Sequence, residues 1–186
     1  MKKANYIKKF KIKYVRKRVK DDILNKPVAS SKQVYTLFKH MQDETKEKVV
    51  SIHLNTKLSI LSYEVVSIGT IRTAQVYPIE VFRNAMLAGA TSVIIVHNHP
   101  SGDCTPSNDD RKFAKKLFQV SKLLEIELED FIIIGYNKYT SFKDERLIRD
   151  IEIEEKLKED LERENAKLKR KINVLEKKNK NIKKTK

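Results

Sequence analysis

The sequence predicts an α/β domain, in which a mixed sheet is flanked by helices, followed by a C-terminal coiled-coil helix. Between residues 27 and 148, short apolar runs typical of strands alternate with amphipathic segments typical of helices. Residues 91–96 are apolar and β-branched on both faces, as in a buried central strand. From residue 149 onwards, leucine and isoleucine recur every seven residues. A basic N-terminal arm of residues 1–26 is predicted to precede the domain.

The first predicted element is an amphipathic helix after Ser30 and Ser31. Its apolar residues have the spacing i, i+3, i+4, i+7, and they are Val34, Leu37, Phe38 and Met41. His40 lies beside this apolar face, and we expect it to be exposed.

Two strands are predicted next, over residues 48–54 and 58–68, and the turn Asn55-Thr56-Lys57 joins them into a hairpin. A short extended segment over residues 71–77 follows. His53 falls in the first strand, where packing is its expected role.

Pro78 stands at the first position of the second predicted helix, where proline is tolerated. The residues expected to line its buried side are Ile79, Phe82, Met86 and Ala90. Gly89 marks its end. The apolar strand over residues 91–96 then begins.

Ser107 is a suitable N-cap for a third helix, with Asp110 three residues later. The residues expected to be buried in this helix are Phe113, Leu117, Val120 and Leu124. Two further strands are predicted over residues 128–134 and 139–142, which completes the α/β pattern.

Two histidines stand at the end of the buried strand, in the segment VHNHPSGDCTPSNDD. Side chains at i and i+2 of a strand point to the same side, so His97 and His99 can reach one ion. Asp110, eleven residues after His99, can supply a carboxylate across a turn-rich loop. Three protein ligands and an open position are typical of catalytic zinc sites. The alternative is that the histidines are surface loop residues and Asp110 only caps a helix.

The order His-x-His-Pro, six residues, Ser107, two residues, Asp110 resembles the JAMM signature of the JAB/MPN metallopeptidases. The string HNHPSGDCTPSNDD is similar to the version carried by the RadC family. The resemblance extends from about residue 28 to residue 148 and includes SIGT at residues 67–70 and FIIIG at residues 131–135. It implies a JAB/MPN-type fold, related in outline to the cytidine deaminase fold, and a Zn²⁺-dependent hydrolase of peptide or isopeptide bonds.

The resemblance also implies a glutamate on an upstream strand that serves as general base. Glu64, in YEVVSIGT, is the best match, and it would take a proton from water and pass it to the leaving amine. Glu80 is the rival, although the first turn of a helix favours an acid for other reasons. The family's equivalent of Ser107 is thought to steady an oxyanion; the same hydroxyl could also serve as the helix cap.

Two residues depart from the family pattern. Cys104 stands where relatives commonly have proline, and a thiol there could bind zinc, become oxidised or lie on the surface. Phe131 stands where many relatives have histidine, which alters the expected periphery of the site.

Charge is concentrated at the two ends of the chain. The formal net charge is +15; residues 1–26 hold 11 Lys/Arg against 2 acids, and residues 151–186 hold 13 against 8. The basic tails predict contact with nucleic acid, and the aromatic residues interleaved in residues 1–26 could stack on bases; a merely solvated tail is the alternative. A single cysteine excludes an intrachain disulfide and fits a cytoplasmic protein, and no signal peptide or membrane span is expected.

The heptad pattern predicts a homodimer. Leu161, Leu168, Leu175 and Ile182 occupy d positions, and the a positions are Ile151, Lys158, Asn165, Ile172 and Asn179. A lone, solvated helix is the alternative, because three of these a positions are polar.

Two functions follow from these features. One is a zinc metallopeptidase acting on an unknown peptide or protein substrate. The other is a DNA-associated accessory protein, related to DNA repair or mobile elements, whose JAB domain has no turnover. A zinc deaminase is disfavoured, because the chain lacks the Pro-Cys-x-x-Cys ligand pair of those enzymes.

Overall fold

The computed structural model describes residues 26–69 and 76–184. The arm over residues 1–25 and most of the predicted extended segment over residues 71–77 lie outside the described residues. The strands are β1 Lys48–Leu54, β2 Ile60–Ile68, β3 Ser92–Asn98, β4 Glu127–Gly135 and β5 Lys138–Ser141. The α-helices are α1 Ser31–Phe38, α2 Pro78–Leu87, α3 Asn108–Leu124 and α4 Leu147–Lys184. A 3-10 helix, Lys39–Asp43, continues α1.

The five described strands form one mixed sheet in the order β2-β1-β3-β4-β5. β1 is antiparallel to both β2 and β3, β3 runs parallel to β4, and β5 returns antiparallel to β4. The prediction of an α/β fold with a mixed sheet is therefore confirmed. β3, which leads into both histidines, is the central strand.

Helices cover both faces of this sheet. α2, α3 and the start of α4 pack on one face, where Val93 and Ile95 of β3 lie. α1 and the 3-10 helix pack on the other face, where Ile94 and Val96 lie. Because successive side chains alternate between faces, a strand covered on both sides needs an apolar residue at nearly every position. This is why all seven residues of β3 are buried.

The predicted buried side of α2 is wrong in part. Ile79 is 69% exposed and Met86 is 48% exposed. The residues that face the core are instead Pro78, Val81, Phe82 and Ala85. This helix has apolar residues on more than one side, and its packing on the sheet decides which of them are buried. Gly89, with φ +65°, ends this segment as predicted.

α3 buries Phe113 and Leu117, as its spacing predicts. Leu124 is exposed, however, and Phe118 and Ala114 complete the buried side instead. The apolar face ends before the last turn of the helix, because Glu125 adopts a left-handed conformation and redirects the chain into β4.

α4 begins two residues earlier than the predicted boundary, at Leu147. Ile151 is buried in the domain core, so this residue belongs to the core, and its prediction as the first a position of a coiled coil is wrong. Lys115 of α3 forms ion pairs with Glu154 (2.9 Å) and Glu155 (3.4 Å), which hold the first turns of α4. Beyond them α4 continues as a single helix. None of the helices in the described part of the chain is long and apolar enough to cross a membrane.

Candidate metal centre

The two histidines lie at the end of β3 and enter the same cleft from the α3 side of the sheet. His97 is paired with Val49 of β1 and Ile133 of β4, and it is 1% exposed. His99 follows the strand, and its backbone N–H donates to Ile134 (2.9 Å). The imidazole centroids are 4.9 Å apart. The period of the strand therefore brings both rings together, as the sequence predicts.

Both imidazoles are oriented by backbone carbonyl groups. Nδ1 of His97 lies 3.1 Å from the carbonyl oxygen of Lys48, and Nδ1 of His99 lies 2.7 Å from that of Asp103. A carbonyl oxygen only accepts hydrogen bonds, so each Nδ1 must carry the proton. In the neutral ring, Nε2 then presents a free lone pair. This arrangement is typical of histidines that bind metals, whose second nitrogen is fixed by a hydrogen bond.

Asp110 faces both free nitrogens from the first turn of α3. Its Oδ1 lies 3.7 Å from Nε2 of His97, and its Oδ2 lies 3.3 Å from Nε2 of His99. The carboxylate is 1% exposed. Oδ1 is buried without a hydrogen-bond partner among the described residues. A buried carboxylate oxygen without a partner is costly, and a bound cation would satisfy it.

The spacing of these donor atoms fits a small metal ion. One donor atom from each of His97, His99 and Asp110 lies within 4.8 Å of the others. In a tetrahedral site with bonds of about 2.1 Å, neighbouring donors are roughly 3.4 Å apart. The distance of 3.7 Å between Nε2 of His97 and Oδ1 of Asp110 is close to that value. The three residues can therefore hold one metal ion and leave a coordination position open.

The pKa values of His97, His99 and Asp110 are shifted by burial and by hydrogen bonds, which act differently on each group. Burial lowers the pKa of His97 and outweighs the carboxylate of Asp110. Burial also opposes the protonation of His99, but its hydrogen bonds to Asp110 and to the carbonyl of Asp103 raise its pKa overall. Burial favours the neutral form of Asp110, yet hydrogen bonds from His99 and Ser107 lower its pKa. These hydrogen bonds favour the ionised carboxylate, which is the form that binds a metal ion.

The three donors open into a cleft of about 780 Å³. Glu47, the residue before β1, lines this cleft, and its negative charge favours protonation of both His97 and His99. The backbone N–H of Gly69 donates to the Glu47 carbonyl (2.8 Å), which ties the start of β1 to the end of β2. Glu47 was not predicted from the sequence as a residue of the site. The sequence signal that could have indicated Glu47 is its place directly before β1, the strand that pairs with the histidine-bearing strand β3.

The structure does not bring Glu64 to the metal centre. Its carboxylate accepts a hydrogen bond from the side-chain amide of Asn84 on α2. Glu64 is paired across the sheet with Ser51, whereas Ser67 and Val49 share the row of His97. It is not among the described residues that line the cleft. A strand position before a glycine, which led to the choice of Glu64, does not determine which end of the sheet the side chain reaches.

Glu80 belongs to the start of α2. Its carboxylate accepts from the backbone N–H of Tyr77 at 3.4 Å, which is a capping interaction. The sequence assigned this residue a helix-terminal role, and the structure agrees.

Ser107 lines the cleft and caps α3. Its Oγ donates to Oδ2 of Asp110 (2.6 Å) and accepts from the backbone N–H of Asp110 (3.1 Å). The Ser107 backbone N–H also donates to Oδ2 (2.8 Å). The capping contacts and the ligand role of Asp110 are therefore compatible, because they use Oδ2 while Oδ1 remains free.

The two departures from the family pattern both lie in the core. Cys104 is buried, so the expectation of a surface thiol is wrong. Phe131 is fully buried, and its ring packs against Phe142 (centroids 4.9 Å apart) and Phe113 (6.0 Å). Phe131 thus fills the space beneath the site with an apolar ring.

A mixed sheet between helices, with His97 and His99 at the end of its central strand and Asp110 on the next helix, defines an α/β protein with a JAB-type candidate metal site. The family model described as "RadC-like JAB domain" matches residues 28–147. The chain belongs to this family.

Relatives with similar sequences come from archaea and bacteria. A UPF0758 protein of Methanosarcina mazei is 46% identical over 123 residues, which cover 66% of this chain and 54% of the relative. A UPF0758 protein of Protochlamydia amoebophila is 44% identical over 122 residues, covering 65% and 53%. One from Chlorobium chlorochromatii is 42% identical over 106 residues, covering 57% and 48%. The chain spans about half the length of the curated relatives it matches.

Proposed function

We propose that the protein is a zinc-dependent hydrolase of amide or isopeptide bonds. The observation that supports this proposal is the convergence of His97 Nε2, His99 Nε2 and Asp110 Oδ1 in an open cleft, where Oδ1 has no hydrogen-bond partner among the described residues. Two imidazoles and one carboxylate with a free fourth position are the donor set of catalytic zinc enzymes. When bound, zinc supplies a water of lowered pKa and a Lewis acid for a carbonyl group.

Glu47 is the general base in this proposal. It is the glutamate on the wall of the cleft, and its charge is felt by both histidines. Its carboxylate would accept a proton from the attacking water and deliver it to the leaving amine. Glu64 is bonded to Asn84 on α2 and is not among the described residues that line the cleft, so Glu47 replaces it in this role.

Ser107 positions Asp110 in this proposal. Its single hydroxyl proton is donated to Oδ2, and its backbone N–H donates to the same oxygen. These two bonds leave Oδ1 turned towards His97. Stabilisation of an oxyanion by Ser107 would require that hydroxyl to leave Asp110 and turn into the cleft.

The first test is the metal content of the purified protein. We expect about one zinc per chain in the wild type and loss of zinc in His97→Ala and in Asp110→Ala. His40→Ala is the matched control, because this histidine is exposed and should leave zinc content unchanged. A folded wild-type protein that takes up no zinc when zinc is offered would contradict the proposal.

The second test compares two glutamates. Glu47→Gln should retain zinc and lower kcat by roughly 10²- to 10⁴-fold, the usual contribution of a general base, on a peptide or isopeptide substrate found by screening the wild type. Glu64→Gln is the control, because glutamine can still accept from Asn84 and the cleft is unchanged. The reverse outcome, with Glu64→Gln inactive and Glu47→Gln active, would overturn the assignment of the base.

A second candidate function is that of a DNA-associated accessory protein. The observation that favours it is the distribution of charge, because the two ends of the chain carry most of the net charge of +15. Basic segments bind phosphate backbones without sequence preference. This association is compatible with hydrolysis at the metal centre, since it uses different residues.

A further inference from the structure

The distal part of α4 carries an apolar stripe that no described element covers. Leu157, Leu161 and Leu168 are 64%, 63% and 54% exposed, and Ile172 and Leu175 are 52% and 60% exposed. Burial of such apolar side chains stabilises a protein, and leaving them in water forgoes that stabilisation. A helix of 38 residues with five of them in water is therefore expected to have a partner.

The domain itself does not extend its contacts along this stripe. Ile151 is in the domain core, and Glu154 and Glu155 are paired with Lys115 of α3. These residues fix the first turns of α4 to the domain. The free heptads begin with Lys158 at position a and Leu161 at position d, and they continue to the end of the helix.

We propose that this stripe is a dimer interface, and that its occupant is α4 of a second copy of the chain, in parallel and in register. Leucine at successive d positions and asparagine at a, as at Asn165, favour two-stranded parallel coiled coils. In register, each Asn165 amide meets its counterpart and both can be hydrogen-bonded. In an antiparallel pair, position a faces position d, so Asn165 would be buried against leucine without a partner.

The charges flanking the stripe agree with the parallel arrangement. In a parallel dimer, position g of one helix faces position e of the following heptad in the other helix. This register places Glu164 opposite Lys169 of the other copy, which are opposite charges. The sequence repeats the pattern with the signs exchanged, at Lys171 and Glu176. An antiparallel pair centred on this region would instead place Lys169 against itself.

Dimerisation through α4 would bring two candidate metal centres into one particle. Because α4 begins on the domain, a parallel pair of α4 helices places both JAB domains at the same end of the dimer. The two clefts then lie at the same end of the coiled coil. A substrate with two attachment points would bind such a dimer more tightly than a single domain.

The test measures the mass of the full-length protein in solution over a range of concentrations. We expect a dimer for the wild type and a monomer for the double variant Leu161→Lys/Leu168→Lys. Leu123→Lys is the matched control, because Leu123 is a leucine of α3 that is 83% exposed and lies outside the stripe; this variant should remain a dimer. A monomeric wild type, a higher oligomer, or a dimer that survives both lysine substitutions would overturn the proposal.

Orientation is tested by cross-linking. Leu161→Cys should give a disulfide-linked dimer under mild oxidation, because d positions face each other only in a parallel pair in register. The wild type, whose single Cys104 is buried, is the control. The charge pair gives an independent readout: Glu164→Lys should raise the dimer dissociation constant several-fold, and the double variant Glu164→Lys/Lys169→Glu should restore it. A Leu161→Cys dimer without a cross-link, or no restoration by the double variant, would contradict the parallel register.

Discussion

The four histidines show how surroundings decide the role of one residue type. His40 is exposed on the 3-10 helix. His53 is buried in β1; its Nδ1 lies 2.8 Å from the hydroxyl of Ser62, and its Nε2 has no hydrogen-bond partner among the described residues. His97 and His99 have Nδ1 fixed by carbonyls and Nε2 turned to Asp110. Only the last pair has the free, converging lone pairs that a metal ion needs.

We predict that His53 makes stability depend on pH. Burial lowers the pKa of His53 to about 4, whereas it is 6.5 in the unfolded chain. The unfolded chain therefore takes up the proton first, and the free energy of unfolding falls as pH decreases from about 6.5 to about 4. The loss is at most about 3 kcal/mol.

Urea unfolding of wild type and His53→Gln at a series of pH values measures this effect. Loss of zinc on acidification affects both proteins, so it cancels in the difference between the two curves. The wild type should lose more stability than the variant between pH 6.5 and 4. Parallel curves would show that His53 does not carry the dependence.

At the scale of elements, the site depends on contacts between the end of β4 and the loop that follows His99. The backbone N–H of Tyr136 donates to the carbonyl of Gly102 (2.9 Å). A Cβ on Gly135 would lie 2.5 Å from that carbonyl oxygen and 3.0 Å from the backbone nitrogen of Cys104. The absence of a side chain at Gly135 thus allows the loop to lie against β4. The same loop supplies the Asp103 carbonyl that orients His99.

We predict that Gly135→Ala destabilises the fold by about 1–3 kcal/mol and weakens zinc binding. The added methyl group must displace backbone atoms of the loop, which moves the Asp103 carbonyl away from His99. Thermal unfolding and zinc titration measure the two effects. Gly89→Ala is the control, because a Cβ there meets nothing within 4 Å and only the positive φ is unfavourable. It should cost about 1 kcal/mol and leave zinc affinity unchanged; equal zinc affinities of all three proteins would refute the role of Gly135.

At the scale of the whole molecule, the candidate metal centre, the most basic segment and the exposed apolar stripe lie in different parts of the chain. The candidate metal centre lies in the middle, where residues 27–150 hold 16 Lys/Arg against 15 acids. The strongest positive charge lies in residues 1–26, and the exposed apolar stripe lies on α4. The proposed catalysis, polyanion binding and dimerisation can therefore be tested one at a time by substitution or truncation.

We predict that DNA binding depends on the N-terminal arm. Deletion of residues 1–25 should lower affinity at low salt and reduce the slope of log K against log salt by several units, because each lost phosphate contact removes about 0.9. A chain in which residues 1–25 are scrambled keeps the charge and serves as the control. Equal affinity and slope for the deleted and intact proteins would exclude the arm as the binding element.

Much of the fold was predictable because it depends on local pattern. β1 begins and ends at the predicted residues, β3 was identified as a buried central strand, and Ser107 caps α3. The errors lie where an element has apolar residues on several sides. Ile79 and Met86 are exposed because α2 packs on the sheet with another of its apolar sides. The periodicity of the helix does not indicate which of these sides is buried.

By itself the sequence determined the donor set of the site, because His97 and His99 are fixed by the two-residue period of one strand and Asp110 by the first turn of the next helix. Only the tertiary structure shows that Glu47 lines the cleft and that Glu64 is not among the described residues lining it. Glu64 and Glu47 both lie in or beside strands of the same hairpin, and the pairing register places Glu64 beside Asn84 and Glu47 in the cleft. Register between strands is a long-range property, set by the packing of the whole sheet, so no local pattern in the chain reveals it.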